Sequence, residues 1–261
     1  MSLLEKVNLI SCGISSYNFK NHVASDIAIG DSYLPAENVK SQGYLDSIQN
    51  WTDEKKLKLN QEKTKIIIFN YTRDYQFSLR LYIQGSLLEI VEETKLLGSV
   101  ISTDLTWWRN TNYLTKKGYQ RLEILRKLYE FNVPIDDLVH IYTLYTRSIL
   151  EFNCCVWNFS ITQEESSDIE RVQKIACRII LKDKYLSYEN ALSTLNLQTL
   201  SERRVMLCIR FAQNCLKHDK SKSMFPLDLD RNRDKFKVNF AKHSRLLFSA
   251  IPQMQRLLNN Q

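Results

Sequence analysis

The spacing of hydrophobic residues changes near residue 105 of the chain. Before this point, apolar runs such as residues 66–69 and the alternation of apolar and polar residues over 77–83 predict β-strands. After it, apolar residues recur every three or four positions, which is the period of an α-helix. The pattern therefore predicts an α+β fold, in which a small, mostly antiparallel sheet with one helix is followed by a helical bundle.

The part of the chain before residue 105 holds the predicted sheet. A helix is expected over about residues 38–57, a tight turn at Gln84-Gly85, and strands over residues 66–69, 77–83, 87–91 and 95–101. Residues 11–41 show no sustained period and are expected to form a loop. A loop of this length is unusual in a compact domain, which suggests that the segment it would pack against is missing.

The part after residue 105 is predicted to consist of stacked helices. The first helix has an apolar face that is formed by Trp107, Thr111, Leu114, Gly118, Leu122, Leu125 and Tyr129. Pro134 separates it from a second helix with Asp136 and Asp137 in its first turn, where acidic residues suit the helix dipole. A third helix carries a basic face that is formed by Arg171, Lys174, Arg178 and Lys182. Thr199 and Glu202 form a capping box that begins a later helix.

These patterns divide the chain into three segments. Residues 1–104 are predicted to form the sheet region, residues 105–216 a helical domain, and residues 217–261 a basic C-terminal extension. The first boundary follows the change of hydrophobic period, and the second follows the end of the last strongly periodic helix.

The net charge of the chain is positive and unevenly distributed. The formal charge is +7, but residues 1–50 carry three Lys against five Asp and Glu, so the remaining residues hold +9. This asymmetry favours an anionic partner such as nucleic acid for the later part. With 44% hydrophobic and 25% charged residues the chain is expected to be globular. Its apolar runs are too short to span a bilayer, so we expect an intracellular protein without membrane contact.

The cysteine and histidine residues form no familiar metal-binding or catalytic motif. Cys208, Cys215 and His218 are spaced so that a helix would place them near one face, but a zinc site usually contains a closely spaced pair of cysteines in a loop. We therefore interpret these cysteines as buried core residues. Cys154 and Cys155 are adjacent, so we expect them to point to different faces and to have packing roles. No cofactor, metal or small-molecule substrate is expected.

Several ordered segments of the chain resemble the motifs of one protein family. The segments are Leu59-Asn60-Gln61-Glu62-Lys63-Thr64-Lys65, Lys95-Leu96-Leu97-Gly98 with Ile101 and Leu105-Thr106-Trp107, Leu144–Phe152 with Trp157, and Glu170-Arg171-Val172-Gln173-Lys174. In this order they resemble the late palm motif, the primer grip and the thumb of non-LTR (LINE-type) retrotransposon reverse transcriptases. The resemblance covers about residues 1–216, and Ile169 stands where the family usually has leucine.

This resemblance implies a role in holding a primer-template duplex of RNA and DNA. Residues 1–104 would be a palm-end and primer-grip remnant, and residues 105–216 a thumb-like domain. Basic helix faces are suited to phosphate contacts, and Trp108 with Arg109 is the best aromatic and basic contact pair. The candidate nucleic-acid-binding residues are Lys63, Lys65, Lys95, Gly98, Trp108, Arg109, Lys116, Lys117, Arg121 and Arg126.

Polymerase chemistry is not expected from this chain. Such chemistry requires acidic residues of two palm motifs, which hold two magnesium ions, and the chain begins just after the segment that would supply the second motif. Ile135-Asp136-Asp137 imitates part of that motif but lies downstream of the primer grip, between two predicted helices. We interpret these acidic residues as the first turn of a helix, and we therefore expect a non-catalytic fragment.

Three alternatives to nucleic-acid binding remain open. The basic residues of the first helix are also typical of an ordinary solvated helix face. A sheet cut from a larger domain would expose apolar surface, which favours a helical protein-interaction module. Finally, residues 95–149 resemble a short module at the N-terminus of AlkB-like tRNA-modifying dioxygenases, but the chain lacks the H-x-D…H iron motif, so this resemblance implies no dioxygenase or methyltransferase activity.

Overall fold

The computed structural model of the chain describes residues 6–15, 24–33, 41–69, 79–228, 232–238 and 247–260. The chain divides into two compact units, Met1–Arg109 and Asn110–Gln261. The first unit contains the large sheet and one complete helix, and the second is mainly helical. The predicted α+β class is therefore confirmed.

The first unit is built on a small sheet. Its elements in chain order are β1 (Lys6–Ser15), β2 (Ala24–Tyr33), α1 (Ser41–Glu54), β3 (Lys58–Phe69), β4 (Tyr82–Ile83), β5 (Ser86–Leu87), β6 (Glu89–Ile90), β7 (Glu93–Leu96) and β8 (Ser99–Ser102). The largest sheet has the strand order β2-β1-β3-β6, in which only the β3–β6 pair is parallel. β4 with β5 and β7 with β8 form separate hairpins.

Within the segment 11–41, the described residues 11–15 and 24–33 form strands and not the predicted loop. β1 pairs with β2 along its whole length and also pairs with β3, both in antiparallel register. Polar residues and glycines interrupt the apolar residues of β1 and β2, so the alternation that marks a strand is weak in this segment. Hydrogen bonds from β1 to a strand that is distant in sequence hold this segment in the extended conformation instead. β1 therefore has a pairing partner in β3, whereas the absence of a further packing segment stays a prediction.

The apolar core of the first unit lies between α1 and the strands that follow it. Leu45 of α1 packs with the buried residues Leu59, Ile66, Leu79, Leu81, Ile83 and Leu88. Gln42 attaches the start of α1 to β4, since its side-chain amide donates to the carbonyl oxygen of Tyr82 and accepts from the N–H of Tyr82, both at 2.9 Å. Of the predicted strand over residues 77–83, residues 77 and 78 lie outside the described part, and only β4 is strand.

Two tight turns close the hairpins of the first unit. The predicted turn at Gln84-Gly85 is confirmed, with φ angles of 51° and 80°. A second turn of the same kind at Leu97-Gly98, with φ angles of 45° and 88°, joins β7 to β8. Left-handed backbone at both central residues is typical of a two-residue hairpin loop. The prediction of one continuous strand over residues 95–101 is therefore wrong, and leucine occupies a position that favours glycine or asparagine.

Most of the second unit is helical. Its elements are α2 (Trp108–Glu130), which begins in the last residues of the first unit, α3 (Ile135–Ile141), a π-helix (Tyr142–Arg147), α4 (Ser148–Leu150), α5 (Cys154–Trp157), α6 (Gln163–Leu181), a 3-10 turn (Lys182–Lys184), α7 (Tyr188–Thr194), α8 (Leu200–Cys215), α9 (Asp219–Lys222), β9 (Leu227–Asp228), β10 (Asn232–Phe236) and α10 (Ala250–Asn259). β9 and β10 pair in antiparallel register.

Local sequence signals explain where the long helices begin. At the start of α8, the Thr199 hydroxyl accepts from the N–H of Glu202 at 3.2 Å, and the Glu202 carboxylate accepts from the N–H of Thr199 at 3.3 Å. This confirms the predicted capping box. Thr162 and Glu165 form the same arrangement before α6. Acidic residues also occupy the first turn of α3, as predicted for Asp136.

The buried face of α2 contains five of the seven residues that the helical period predicts, whereas Trp107 precedes the helix and Tyr129 is half-buried. Thr111, Leu114, Leu122 and Leu125 are buried there, together with Gly118. A Cβ atom at the glycine would lie 2.8 Å from Cδ2 of a leucine in α4 and 3.0 Å from Cγ1 of a valine in α6. These distances are shorter than van der Waals contact, so glycine permits α2, α4 and α6 to pack closely.

The C-terminal residues belong to the same unit as the helical domain. Phe225 and Met254 are buried in one cluster with Cys208 and Ala212 of α8. The predicted separation of residues 217–261 as an extension is therefore not reflected in the packing of the described residues.

Candidate nucleic-acid interface

Ion pairs engage two of the predicted site residues of the first unit. Lys65 on β3 pairs with Glu89, which lies opposite it in the parallel β3–β6 register. Arg109 pairs with Glu93 on β7. Lys63, by contrast, is exposed. An exposed ion pair is weak in water, but it reduces the charge that Lys65 and Arg109 present to an anionic partner.

The residues that were predicted to form a primer grip lie on the β7–β8 hairpin and at the start of α2. Lys95 is exposed on β7, and Gly98 forms the turn. Leu97, beside it in the turn, is 65% exposed and is the most prominent apolar residue of the hairpin. Trp108 is also exposed, and the Arg109 guanidinium carbon lies 5.1 Å from its ring centroid. The predicted aromatic and basic pair is thus in contact.

Asp104 orders the loop that connects β8 to α2. Its carboxylate accepts hydrogen bonds from the Ser102 hydroxyl at 2.6 Å and from the N–H of Thr106 at 3.0 Å. Partial burial raises the pKa of the Asp104 carboxyl, but these hydrogen bonds lower it more, so the pKa lies below its usual value. The ionised side chain therefore fixes the loop next to the β7–β8 hairpin.

The predicted basic residues of α2 differ in whether they form hydrogen bonds or ion pairs with other residues. Arg121 donates to the carbonyl oxygen of Tyr145, and its guanidinium lies 4.0 Å from the centroid of that ring. Arg126 pairs with a glutamate three residues earlier on the helix. Lys116 and Lys117 are exposed, and no hydrogen bond or ion pair within the described part of the chain engages their ammonium groups. These two lysines are therefore the cations of α2 that are best placed to meet phosphate.

A row of four exposed cations, three on α6 and one directly after its last residue, forms a stronger basic surface. The residues lie at helical spacing, and we call them the basic stripe: Arg171, Lys174, Arg178 and Lys182. Three of them stack on tyrosine rings. The distances from the cationic group to the ring centroid are 5.0 Å for Lys174 over Tyr188, 5.2 Å for Arg178 over Tyr185 and 3.9 Å for Lys182 over Tyr129. The sequence analysis identified this face as basic but did not include it among the site residues.

The two units differ in charge. Residues 110–261 contain 24 Lys and Arg against 16 Asp and Glu, a formal charge of +8, whereas residues 1–109 contain 12 against 13, a charge of −1. The excess positive charge of the chain therefore lies in the helical unit, which carries the basic stripe. A field of this sign attracts polyanions over distances of about one Debye length.

The segment Glu170-Arg171-Val172-Gln173-Lys174, which resembles a thumb motif, has a structural role in the described structure. The Glu170 carboxylate accepts from the Tyr188 hydroxyl and, at 3.1 Å, from the N–H of Leu200 at the start of α8. The amide of Gln173, fully buried, accepts from the Tyr142 hydroxyl at 2.7 Å and donates to the Tyr188 hydroxyl at 2.8 Å. These two side chains connect α6 to three neighbouring elements and hold the stripe in place.

The cysteines are placed differently from the sequence prediction. Cys208 and Cys215 are buried in the core, as expected, and His218 is exposed. Cys154 and Cys155 were expected to point to different faces. Instead, their sulfur atoms and that of Cys208 all lie within 4.8 Å of one another. The expectation fails because α5 is a single turn that packs against α8. The side chains of both adjacent cysteines therefore reach Cys208.

Comparison of the chain with protein-family models, curated proteins and solved structures finds no match. The resemblance to a reverse transcriptase therefore stays a prediction from the sequence motifs. Among the helices in the described part of the chain, none combines the length and the apolar character that are required to cross a bilayer.

Proposed function

We propose that this chain is a non-catalytic protein derived from a retrotransposon reverse transcriptase, and that it binds a primer-template duplex of RNA and DNA. The observation that carries the proposal is the basic stripe of α6. Sequence motifs that resemble a primer grip and a thumb support it, since both elements hold duplex in that family.

The dimensions of the basic stripe suit a phosphate backbone. From Arg171 to the last helical residue the stripe covers about 15 Å along the axis of α6, and Lys182 follows directly after the helix. Phosphates of one duplex strand repeat at about 3.4 Å along the duplex axis, so the stripe spans roughly five nucleotides. Such contacts recognise charge and shape and carry no information about sequence.

The tyrosine rings under the stripe support binding in two ways. Each ring restricts the rotamers of the cation above it, so less side-chain entropy is lost when a phosphate binds. Among the described residues none of Lys174, Arg178 and Lys182 forms an ion pair, so stacking on a ring also leaves their charges available to phosphate. Only Arg171 forms an ion pair within the described part of the stripe, with Asp168 at 2.7 Å.

Removal of the stripe is expected to weaken duplex binding and its dependence on salt. The triple variant K174A/R178A/K182A should bind an RNA–DNA duplex at least about tenfold more weakly, with a log–log salt slope that is smaller by about 3, because each lost phosphate contact removes about one unit. Filter binding at a series of salt concentrations measures both quantities.

A matched control removes the same charge elsewhere on the unit. Arg210, Lys220 and Lys222 are exposed on α8 and α9. The variant R210A/K220A/K222A should keep most of the affinity. Equal losses in the two triple variants would show that binding depends on net charge alone, and binding that does not respond to salt would exclude the nucleic-acid proposal.

We also propose that the chain has no polymerase activity. The resemblance includes the grip and the thumb but not the acidic palm motifs that hold magnesium in that family. A primer-extension assay with a primed RNA template, deoxynucleotides and magnesium is expected to show no incorporation above background. Incorporation that depends on the added protein and survives its repurification would contradict this proposal.

A protein-interaction module is the alternative from a different class. Tyr44 and Trp51 are both exposed, and their separation of seven residues places them on one face of α1. Exposed aromatic residues are common in protein interfaces. If the alternative is correct, both triple variants bind duplex as weakly as the unmodified chain does.

A further inference from the structure

Three cysteines of the second unit bring their sulfur atoms together. The Sγ atoms of Cys154, Cys155 and Cys208 all lie within 4.8 Å of one another. Cys154 and Cys208 are buried, and Cys155 is half-buried. We call this group the cysteine cluster. It is separate from the basic stripe and plays no part in the proposed duplex binding.

The packing of α5 on α8 creates the cysteine cluster. Asn153 adopts a left-handed conformation with φ of 51° and begins the single turn of α5. The two adjacent cysteines then meet α8, where Cys155 Sγ lies 3.7 Å from the carbonyl oxygen of Leu207 and Cys208 Sγ lies 3.9 Å from that of Cys154. Backbone contacts on both sides therefore hold the three sulfurs on one site.

We propose that the cysteine cluster binds one thiophilic d10 metal ion, with Cu(I) as the preferred ion. A metal at about 2.3 Å from each of three sulfurs in a trigonal plane requires sulfur–sulfur distances of about 4 Å, which the cluster accommodates. Thiolate ligands are soft and select ions such as Cu(I) and Zn(II).

The number of ligands favours Cu(I) over Zn(II). In the described part of the chain, the group that could hold a metal contains these three cysteines and no histidine or carboxylate. Structural zinc sites almost always have four protein ligands, whereas three soft ligands are sufficient for Cu(I).

A buried cation beside the cluster offsets the charge of thiolate ligands. Arg204 is one turn before Cys208 on α8 and is 1% exposed. Its guanidinium donates to the neutral groups Asn158 Oδ1 and Ser166 Oγ, each at 2.8 Å, while Nη1 finds no hydrogen-bond partner among the described residues. The carboxylates of Glu170 and Glu151 supply part of the negative charge that a buried cation requires, and thiolates at Cys154 and Cys208 would add to it.

Competitive titration with Cu(I) tests the proposal. The full, reduced chain is titrated with Cu(I) in the presence of a chromophoric Cu(I) chelator, and in parallel with Zn(II) and a zinc indicator. One Cu(I) per chain is expected. C155A and C208A should each lower the Cu(I) affinity at least about tenfold, because two thiolates remain. X-ray absorption at the copper edge should show three sulfur neighbours.

The control is a cysteine of the same helix that lies outside the cluster. Cys215 is buried on α8 in the same apolar core as Cys208, so C215A imposes a similar change in packing and should bind Cu(I) like the unmodified chain. Circular dichroism identifies variants that do not fold, and half-buried Cys155 is the cluster residue whose replacement disturbs packing least.

Three outcomes would overturn the proposal. The first is that the chain leaves all Cu(I) with the chelator. The second is that C215A loses as much affinity as C155A, which would mean that binding does not depend on the cluster. The third is tighter binding of Zn(II) than of Cu(I), which would reject the three-coordinate site.

Discussion

Replacement of Trp157 by alanine is expected to lower the free energy of unfolding by about 3–5 kcal/mol, which is the usual cost of removing a large aromatic side chain from a core. The indole is fully buried. Its N–H donates to the carbonyl oxygen of Phe152 at 3.0 Å, and the Arg204 guanidinium lies 5.7 Å from its ring. The truncation therefore leaves a cavity and an unpaired carbonyl together. Urea denaturation followed by circular dichroism measures the change.

A second tryptophan provides the control for this measurement. Trp51 on α1 is 45% exposed, so its replacement by alanine removes the same atoms without opening an internal cavity. Its cost should stay below about 1 kcal/mol, as for most surface substitutions. Similar losses for the two variants would contradict the assignment of Trp157 to the core of the second unit.

Replacement of Gln173 by leucine is expected to cost about 2–5 kcal/mol, since each buried polar group that loses its partner costs about 1–3 kcal/mol. Gln173 has no exposed surface. Leucine keeps a similar volume but removes the partner of the Tyr142 hydroxyl and of the carbonyl oxygen of Gln198, to which Gln173 donates at 2.9 Å, while the Tyr188 hydroxyl keeps its bond to Glu170. The midpoint of urea unfolding reports the loss.

A double variant separates the cost of unpaired groups from the cost of packing. In Y142F/Q173L the buried hydroxyl is removed with its partner, and such paired removals are close to neutral. The double variant should therefore be more stable than Q173L alone. If the two single effects add, the hydroxyl and the amide do not interact and the network described for α6 is incorrect.

Signals that lie within a few residues of each other could be predicted from the sequence. The capping box at Thr199, the tight turn at Gln84-Gly85 and the buried face of α2 all depend on local side-chain chemistry or on the helical period. For the same reason the α+β class was predictable, because it follows from the change of period near residue 105.

Features that depend on distant partners could not be predicted. β1 and β2 lack a clear alternation and become strands because β1 pairs with both β2 and β3. The cysteine cluster joins Cys154 to Cys208, and nothing in the spacing of the chain indicates that α5 packs on α8. Likewise, the ion pair that engages Lys65 arises from the register of a parallel strand pair.

The candidate interface was predicted in part. Lys116 and Lys117 are exposed as expected, but Arg121 and Arg126 are already engaged by neighbouring groups. The basic stripe was visible as a row of cations at helical spacing. Its advantage over α2 comes from tyrosines on three different segments, and their arrival under α6 is a property of the tertiary structure.

Close packing at Gly118 affects where the surface cations of α6 lie. Val172, which meets it, lies on the buried side of α6 between Arg171 and Lys174. The depth to which α6 settles on α2 also sets how near Lys182 comes to the Tyr129 ring. The distance between the positive charges of these two helices therefore depends on a buried position, at which glycine has no side chain to separate the helices.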